Sequence, residues 1–273
     1  MKAIKLLTTL LLLLHITFTN ASTLTVEQVQ KFISISGLAS AIDSMPSQFR
    51  QQFNLQALVR EDKISTEKAS KAMEEALAQT NGYQIAESYL LSRSDAASLV
   101  NAITFLESNL GRTIVAAEAL ANEPEFQLEF QSYALEMSKN PPSDERAQLI
   151  RELNASLNSE DVIVEMVKTM MFVAVDFFKE FDPEVSESME SELEAEWQKV
   201  EPMLRGQMSQ YIVLASHYVY KNLTNKQMNQ YMDFLNSKDG QIYWEASMGI
   251  FQVYINDLVK NMLTSIVEEV KSS

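Results

Sequence analysis

The chain contains no cysteine and only two histidines, and these shortages exclude several kinds of site. Without cysteine there is no thiolate to bind a metal or act as a nucleophile, and no disulfide. His15 falls in the segment interpreted below as a signal peptide, which leaves His217 alone. One histidine cannot form a paired-histidine zinc or iron site. We therefore expect no metal and no cofactor, and we interpret His217 as a structural residue.

Glycine and proline are also scarce, with six of each among 273 residues. The six glycines form neither a Gly-x-Gly-x-x-Gly motif nor a Walker loop, so nucleotide binding is not expected. Alanine, glutamate, glutamine, leucine and methionine are abundant, and these residues favour helices. No stretch alternates apolar and polar residues as an exposed strand would. The sequence predicts an all-α protein.

Basic residues are outnumbered by acidic ones, 22 against 37, which gives a formal net charge of −15. Such acidity repels phosphate backbones, so nucleic acid is excluded as a partner. It also disfavours adhesion to anionic lipid surfaces and favours solubility.

The first 21 residues have the pattern of a cleavable signal peptide. Lys2 and Lys5 precede an apolar core over residues 6–16, and Thr19-Asn20-Ala21 places small residues at a cleavage site. The core is shorter than the ~18–20 apolar residues of a membrane-spanning helix. We expect cleavage after Ala21 and a periplasmic protein that does not span the membrane.

One short sequence motif occurs twice in the chain. Phe-Leu-x-Ser-x-x-Gly is found at residues 105–111 and again, 129 positions later, at residues 234–240. The ungapped alignment of residues 86–117 with residues 215–246 gives seven identities in 32 positions, including Tyr89 with Tyr218. We interpret this as a tandem duplication of a helical hairpin.

Each copy reads as a capped helix, a turn and a second helix. Thr224 and Gln227 form a capping box, and Asp95 occupies the place of Thr224 as the expected cap in the first copy. The Asn140-Pro141-Pro142-Ser143 break cannot continue a helix and separates the copies. The predicted architecture is a tandem duplicated helical bundle of αα-hairpins, with a signal peptide (1–21), a first repeat (22–140) and a second repeat (141–273).

The repeated residues are interpreted as structural and not as a reactive site. Ser237 is expected to cap the helix after the turn or to tie the backbone of the turn. Gly240 is expected to permit positive φ or a close helix approach, and Phe234 to be buried. No catalytic, cofactor-binding or metal-binding residue is assigned. The motif residues are Tyr89, Phe105, Ser108, Gly111, Tyr218, Thr224, Phe234, Ser237 and Gly240.

Other helix boundaries follow from proline positions and apolar stripes. We expect a first helix to about Ser44 and a second from Pro46, and we expect Pro183 and Pro202 each to begin a helix. Residues 161–181 are strongly apolar and predict the buried central helix of the second half. Residues 240–270 predict a long final helix.

The order of an aromatic-rich helix, a cap, Phe-Leu-x-Ser-x-x-Gly and a second helix resembles a bacterial exported family, domain of unknown function 2059. The match covers about thirty residues in each copy. The chain departs from the family pattern at Gln227, where Glu is usual, at Leu235, where Tyr is usual, and in lacking proline in the turn. The resemblance implies a helical, exported domain and supplies no activity.

These observations favour binding over chemistry, although an enzyme is not excluded. The first hypothesis is an exported, non-enzymatic interaction protein with a groove for a protein or peptide. The second is a carrier of an apolar small molecule or lipid. The third is a cell-wall enzyme that works with one buried glutamic acid, although no glutamate is singled out. A groove open to solvent favours the first, a closed apolar pocket the second, and a cleft holding a buried glutamate the third.

Overall fold

A computed structural model describes residues 23–52, 66–123, 125–181 and 183–271. The predicted signal peptide, residues 1–21, lies outside this part of the chain. Throughout the described ranges the secondary structure is helical without a strand, which confirms the all-α prediction. The α-helices of these ranges are α1 (Val26–Ile35), α2 (Leu38–Gln52), α3 (Thr66–Gln79), α4 (Gly82–Leu91), α5 (Ala96–Leu106), α6 (Asn109–Ala119), α7 (Phe126–Lys139), α8 (Asp144–Ser156), α9 (Ser159–Phe181), α10 (Pro183–Val219), α11 (Asn225–Leu235) and α12 (Lys238–Lys271).

Hydroxyl caps begin several of these helices as the sequence predicts. Thr25 and Thr224 each form a full capping box, and Ser143 accepts a hydrogen bond from the N–H of Arg146. Each cap satisfies one of the backbone N–H groups that a helix start leaves free.

The break between the first two helices was placed wrongly. Helix α1 ends at Ile35. Gly37 then adopts a φ of 83°, a backbone conformation that is strained for residues with a side chain. Pro46 lies inside α2 instead of beginning it. The positive φ of Gly37 interrupts the helical hydrogen bonds, whereas a proline removes only one.

The predicted start of a helix at Pro202 is also wrong, because α10 continues through this proline. A proline inside a helix costs ~3 kcal/mol or more. Helix α10 packs along α9, and it buries Trp197 before the proline and Ile212 after it. The burial of apolar side chains on both sides of Pro202 offsets the backbone hydrogen bond that the proline cannot form.

Helix α9 is not the buried central helix that its composition predicts. Val164 and Val173 are buried, but Val162, Met166 and Met170 remain partly exposed. The central position belongs to α12, which packs against α3, α4, α5, α9 and α11. An apolar side of α9 is therefore left to line the groove described below.

The hydrophobic clusters combine residues from both sides of the predicted repeat boundary. Tyr243, Ala246 and Ile250 of α12 pack among residues of α1, α4 and α5. Conversely, Ile114 of α6, in the first predicted repeat, packs among residues of α8 and α11, in the second. The two hairpins thus build a shared core, and the tandem duplication itself stays a prediction.

Among the described ranges, none of the helices is long and apolar enough to cross a membrane.

Candidate functional site

The two Phe-Leu-x-Ser-x-x-Gly turns have the same backbone geometry. The Ser108 hydroxyl accepts a hydrogen bond from the N–H of Gly111 at 3.0 Å, and the Ser237 hydroxyl accepts one from Gly240 at 3.1 Å. Ser237 also donates to the carbonyl of Phe234 at 2.6 Å. Ser237 therefore caps α12 and ties the turn, as predicted.

The glycines of the turns permit a close backbone approach and have no positive φ. A Cβ on Gly240 would lie 1.9 Å from the carbonyl oxygen of Phe234, and one on Gly111 would lie 2.3 Å from that of Phe105. These distances are far below van der Waals contact. Of the two alternatives predicted for Gly240, close approach is the one observed.

The two motif phenylalanines stack on each other. The rings of Phe105 and Phe234 are nearly parallel, at 5°, with centroids 3.8 Å apart. Phe234 is partly exposed, so its predicted full burial is wrong. Each ring covers one face of the other where the hairpins meet, and an edge of the pair remains in solvent.

The helix starts before the two turns differ. Thr224 forms the predicted capping box with Gln227. Asp95 makes no side-chain cap, contrary to the prediction, because its carboxylate accepts hydrogen bonds from the guanidinium of Arg93. The neighbouring cation competes successfully with the helix N–H groups for this carboxylate.

The two aligned tyrosines also have different surroundings. Tyr89 contacts Gly249 closely and accepts a hydrogen bond from Arg93 at 3.2 Å. Tyr218 lies in an aromatic cluster with Phe126 and Phe130, and its hydroxyl donates to Glu129. That hydrogen bond, with burial, raises the pKa of Tyr218 to about 12.

His217 is buried beside this cluster. Its backbone carbonyl accepts a hydrogen bond from the Tyr133 hydroxyl at 3.0 Å. Burial lowers the pKa of the imidazole, and the charges of Arg146 and Arg151 lower it further. The position supports the structural interpretation of this residue.

An open groove of about 400 Å³ lies between α2, α9 and α12, and none of the nine motif residues lines it. We call it the apolar groove, because its walls are mostly methionine, aromatic and aliphatic side chains. Smaller extensions of about 190 Å³ and about 210 Å³ continue it, and Met248 borders all three spaces. Its main apolar lining residues are Met45, Phe49, Val162, Ile163, Met166, Met170, Trp244, Met248, Phe251 and Ile255.

The charged residues that line the groove and its extensions are all acidic. Asp161 and Glu165 stand on the α9 side, and Glu118 stands at the opposite extension. Asp161 is paired with Arg205 at 2.6 Å. Within the described ranges no lysine or arginine lines these three spaces, so the groove is apolar with an acidic rim.

Glu118 is the chemically distinctive residue of this surface. The hydroxyls of Tyr220 and Tyr231 both donate to its Oε1 atom, each at 2.8 Å. Burial raises the pKa of the Glu118 carboxyl, and the two hydrogen bonds oppose that shift without cancelling it. Burial and the negative charge of Glu118 in turn raise the pKa of both tyrosines well above 10.0.

The sequence contains an indication of this carboxylate that the prediction missed. Glu118 follows the buried Ile114 by four residues, which places both on one side of α6. A charged residue in the apolar stripe of a helix needs a partner. Its partners, Tyr220 and Tyr231, come from distant parts of the chain and could not be identified from spacing.

The described ranges contain no group of three or more histidine, aspartate and glutamate side chains that could hold a metal ion. No family model matches the chain, and neither a curated protein nor a solved structure matches it. The resemblance to domain of unknown function 2059 stays a prediction.

Proposed function

We propose that the chain is an exported, non-enzymatic interaction protein whose apolar groove binds an amphipathic helical segment of a partner protein. The observation that carries the proposal is the open groove itself, with partly exposed Met45, Met166, Met170 and Met248 in its walls. Exposed apolar side chains gathered in one concave surface are typical of interaction sites. Export is supported by the sequence of residues 1–21.

Methionine suits a groove that receives a helix. Its unbranched, polarisable side chain adapts to different apolar shapes, and methionine-rich surfaces accept amphipathic helices. The charges at the rim of the groove indicate a second property of the partner. Because Glu118 and Glu165 are acidic and no basic residue of the described ranges lines these spaces, a segment with basic residues beside its apolar face is favoured over an acidic one.

A carrier of an apolar small molecule is a second candidate, because about 400 Å³ falls in the range of ligand pockets. Two observations favour the peptide. The groove is open, and the extension beside it is lined by Glu118, whose Oε2 atom accepts no hydrogen bond from the described residues. A hydrocarbon would leave this oxygen without a hydrogen-bond donor, whereas a peptide carries donors.

An enzyme that uses one glutamic acid is less well supported. Glu118 has a raised pKa, as a general acid requires. However, glycan cleavage needs a second carboxylate or another nucleophilic group near the acid. Among the described residues, no other carboxylate lines the extension that holds Glu118.

A displayed library of random peptides tests the proposal directly. We expect peptides of about 16 residues, long enough for about four helical turns, to be enriched when they carry apolar residues at helical spacing. Enriched peptides should bind Met166→Glu at least about tenfold more weakly, because a buried unpaired charge is unfavourable.

The matched control is Met203→Glu, which introduces the same charge on α10 at a side chain that is 58% exposed. It should bind the selected peptides like the wild type. The proposal is wrong if no peptide is enriched on the wild type, or if the two variants bind the enriched peptides equally.

A further inference from the structure

The two oxygens of the Glu118 carboxylate have different surroundings. Both tyrosine hydroxyls donate to Oε1, and no hydrogen bond from the described residues reaches Oε2. No lysine, arginine or histidine of the described ranges forms an ion pair with Glu118. The residue nevertheless lines the groove extension together with Trp244 and Met248, so a bound molecule can reach it.

An isolated carboxylate in such surroundings attracts a cation more strongly than a carboxylate in open water. Tyr220, Tyr231 and Tyr243 are buried beside it, and charges interact more strongly where water is excluded. The two hydroxyl groups fix the carboxylate in place, so little reorganisation is needed when a ligand arrives. The raised pKa of Glu118 has the same origin, since burial disfavours the charged form and no cation of the described residues compensates for it.

Trp244 lines the same extension, but its indole N–H is buried and out of reach of a ligand. The wall therefore offers the Oε2 atom of Glu118 in mostly apolar surroundings. A ligand that supplies a cation complements this oxygen.

We propose that Glu118 recognises a lysine or arginine side chain of the amphipathic segment, with the adjoining apolar residues of that segment in the methionine-lined part of the groove. This inference rests on the function proposed above and names the polar group that selects the partner. It predicts that anionic amphiphiles and neutral apolar peptides are poorer ligands than basic ones.

A parallel peptide selection on Glu118→Gln provides the first test. Glutamine retains an oxygen for the two tyrosine hydroxyls and removes only the charge. We expect one basic position to be enriched on the wild type and lost on Glu118→Gln. Glu194→Gln, which changes the net charge equally at an exposed position on α10 outside the groove, should retain it.

The second test exchanges the basic residue of one selected peptide for glutamine and measures four dissociation constants by fluorescence anisotropy. The wild-type protein should bind the basic peptide about tenfold more tightly than the glutamine peptide, the size expected for a charge-assisted hydrogen bond. On Glu118→Gln the two peptides should bind equally. The comparison of the two peptides on the wild type does not depend on how well the variant folds.

The outcomes separate the two proposals. If apolar peptides are enriched but the basic exchange and Glu118→Gln have no effect on affinity, the inference about Glu118 is wrong while the groove proposal stands. If Glu194→Gln lowers affinity as much as Glu118→Gln, the net charge of the protein explains the preference and the inference is wrong. If no peptide is enriched at all, the proposed function fails first.

Discussion

The two turns share their hydrogen bonds, but the helices that follow them present different side chains. Ser108 and Ser237 cap in the same way, and both glycines meet a carbonyl oxygen. Farther along, Val115 corresponds to Trp244 and Glu118 corresponds to Ser247 at the same spacing of 129. The contrast teaches that backbone geometry is repeated where the hairpins are built, whereas the groove uses residues that are not repeated.

The largest expected effect on stability comes from adding a side chain to the glycine of either turn. Gly111→Ala and Gly240→Ala should each lower the free energy of unfolding by about 3 kcal/mol or more, because the new Cβ overlaps a backbone oxygen. Chemical denaturation measures this. Gly206→Ala is the control, because a Cβ there meets nothing within 4 Å and should stabilise the helix by ~0.5–1 kcal/mol. Equal behaviour of Gly240→Ala and Gly206→Ala would contradict the close approach.

The next effect concerns the stacked pair that joins the two hairpins. Phe105→Ala and Phe234→Ala should each cost about 2 kcal/mol, below the ~3–5 kcal/mol of a fully buried phenylalanine, because both rings are partly exposed. A double-mutant cycle should give a coupling of ~0.5–1.5 kcal/mol. Phe105→Ala combined with Phe126→Ala, which belongs to another cluster, should be additive. Additivity within the stacked pair would show that the two rings do not interact.

A smaller effect should distinguish the two caps. Ser108→Ala and Ser237→Ala should each cost ~1 kcal/mol, the usual value for losing an N-cap. Ser237→Ala should cost somewhat more, because only Ser237 is also a donor to the preceding carbonyl. Thermal melts of both variants provide the comparison, with the exposed Ser34→Ala as control. A larger loss at Ser108 would mean that the extra hydrogen bond of Ser237 contributes nothing.

The turns were predictable from the sequence because their contacts are local. Thr224 and Ser237 each bond to a residue three positions away, which spacing alone reveals. The groove was not predictable, because it depends on which apolar side of α9 is left uncovered. Glu118 illustrates the limit, since its partners Tyr220 and Tyr231 lie 102 and 113 residues away.

Glu118 also makes stability depend on pH, and Ser247, the residue at the equivalent position of the second hairpin, has no charge with which to reproduce this effect. Burial raises the pKa of Glu118 above 4.5 in the folded protein, so the carboxyl ionises at a lower pH in the unfolded chain than in the folded one. The wild type therefore loses stability as the pH rises through the pKa of the folded state. Glu118→Gln should equal the wild type near pH 4 and become the more stable protein toward pH 7, as measured by urea unfolding at each pH. Tyr220, Tyr231 and Tyr243 stay neutral over this window because their pKa values are raised. If the stability advantage of Glu118→Gln instead shrank as the pH rose, the pKa of Glu118 would be lowered and not raised in the folded protein.

The most direct test of the account follows the methionine methyl groups by NMR while a selected peptide is added. The chain has 14 methionines, and four of them, Met45, Met166, Met170 and Met248, line the apolar groove. We predict that these four resonances shift with one common dissociation constant, while the exposed Met203 of α10 does not shift. Shifts at Met203 with the four groove methionines unchanged would place binding elsewhere and contradict the central claim.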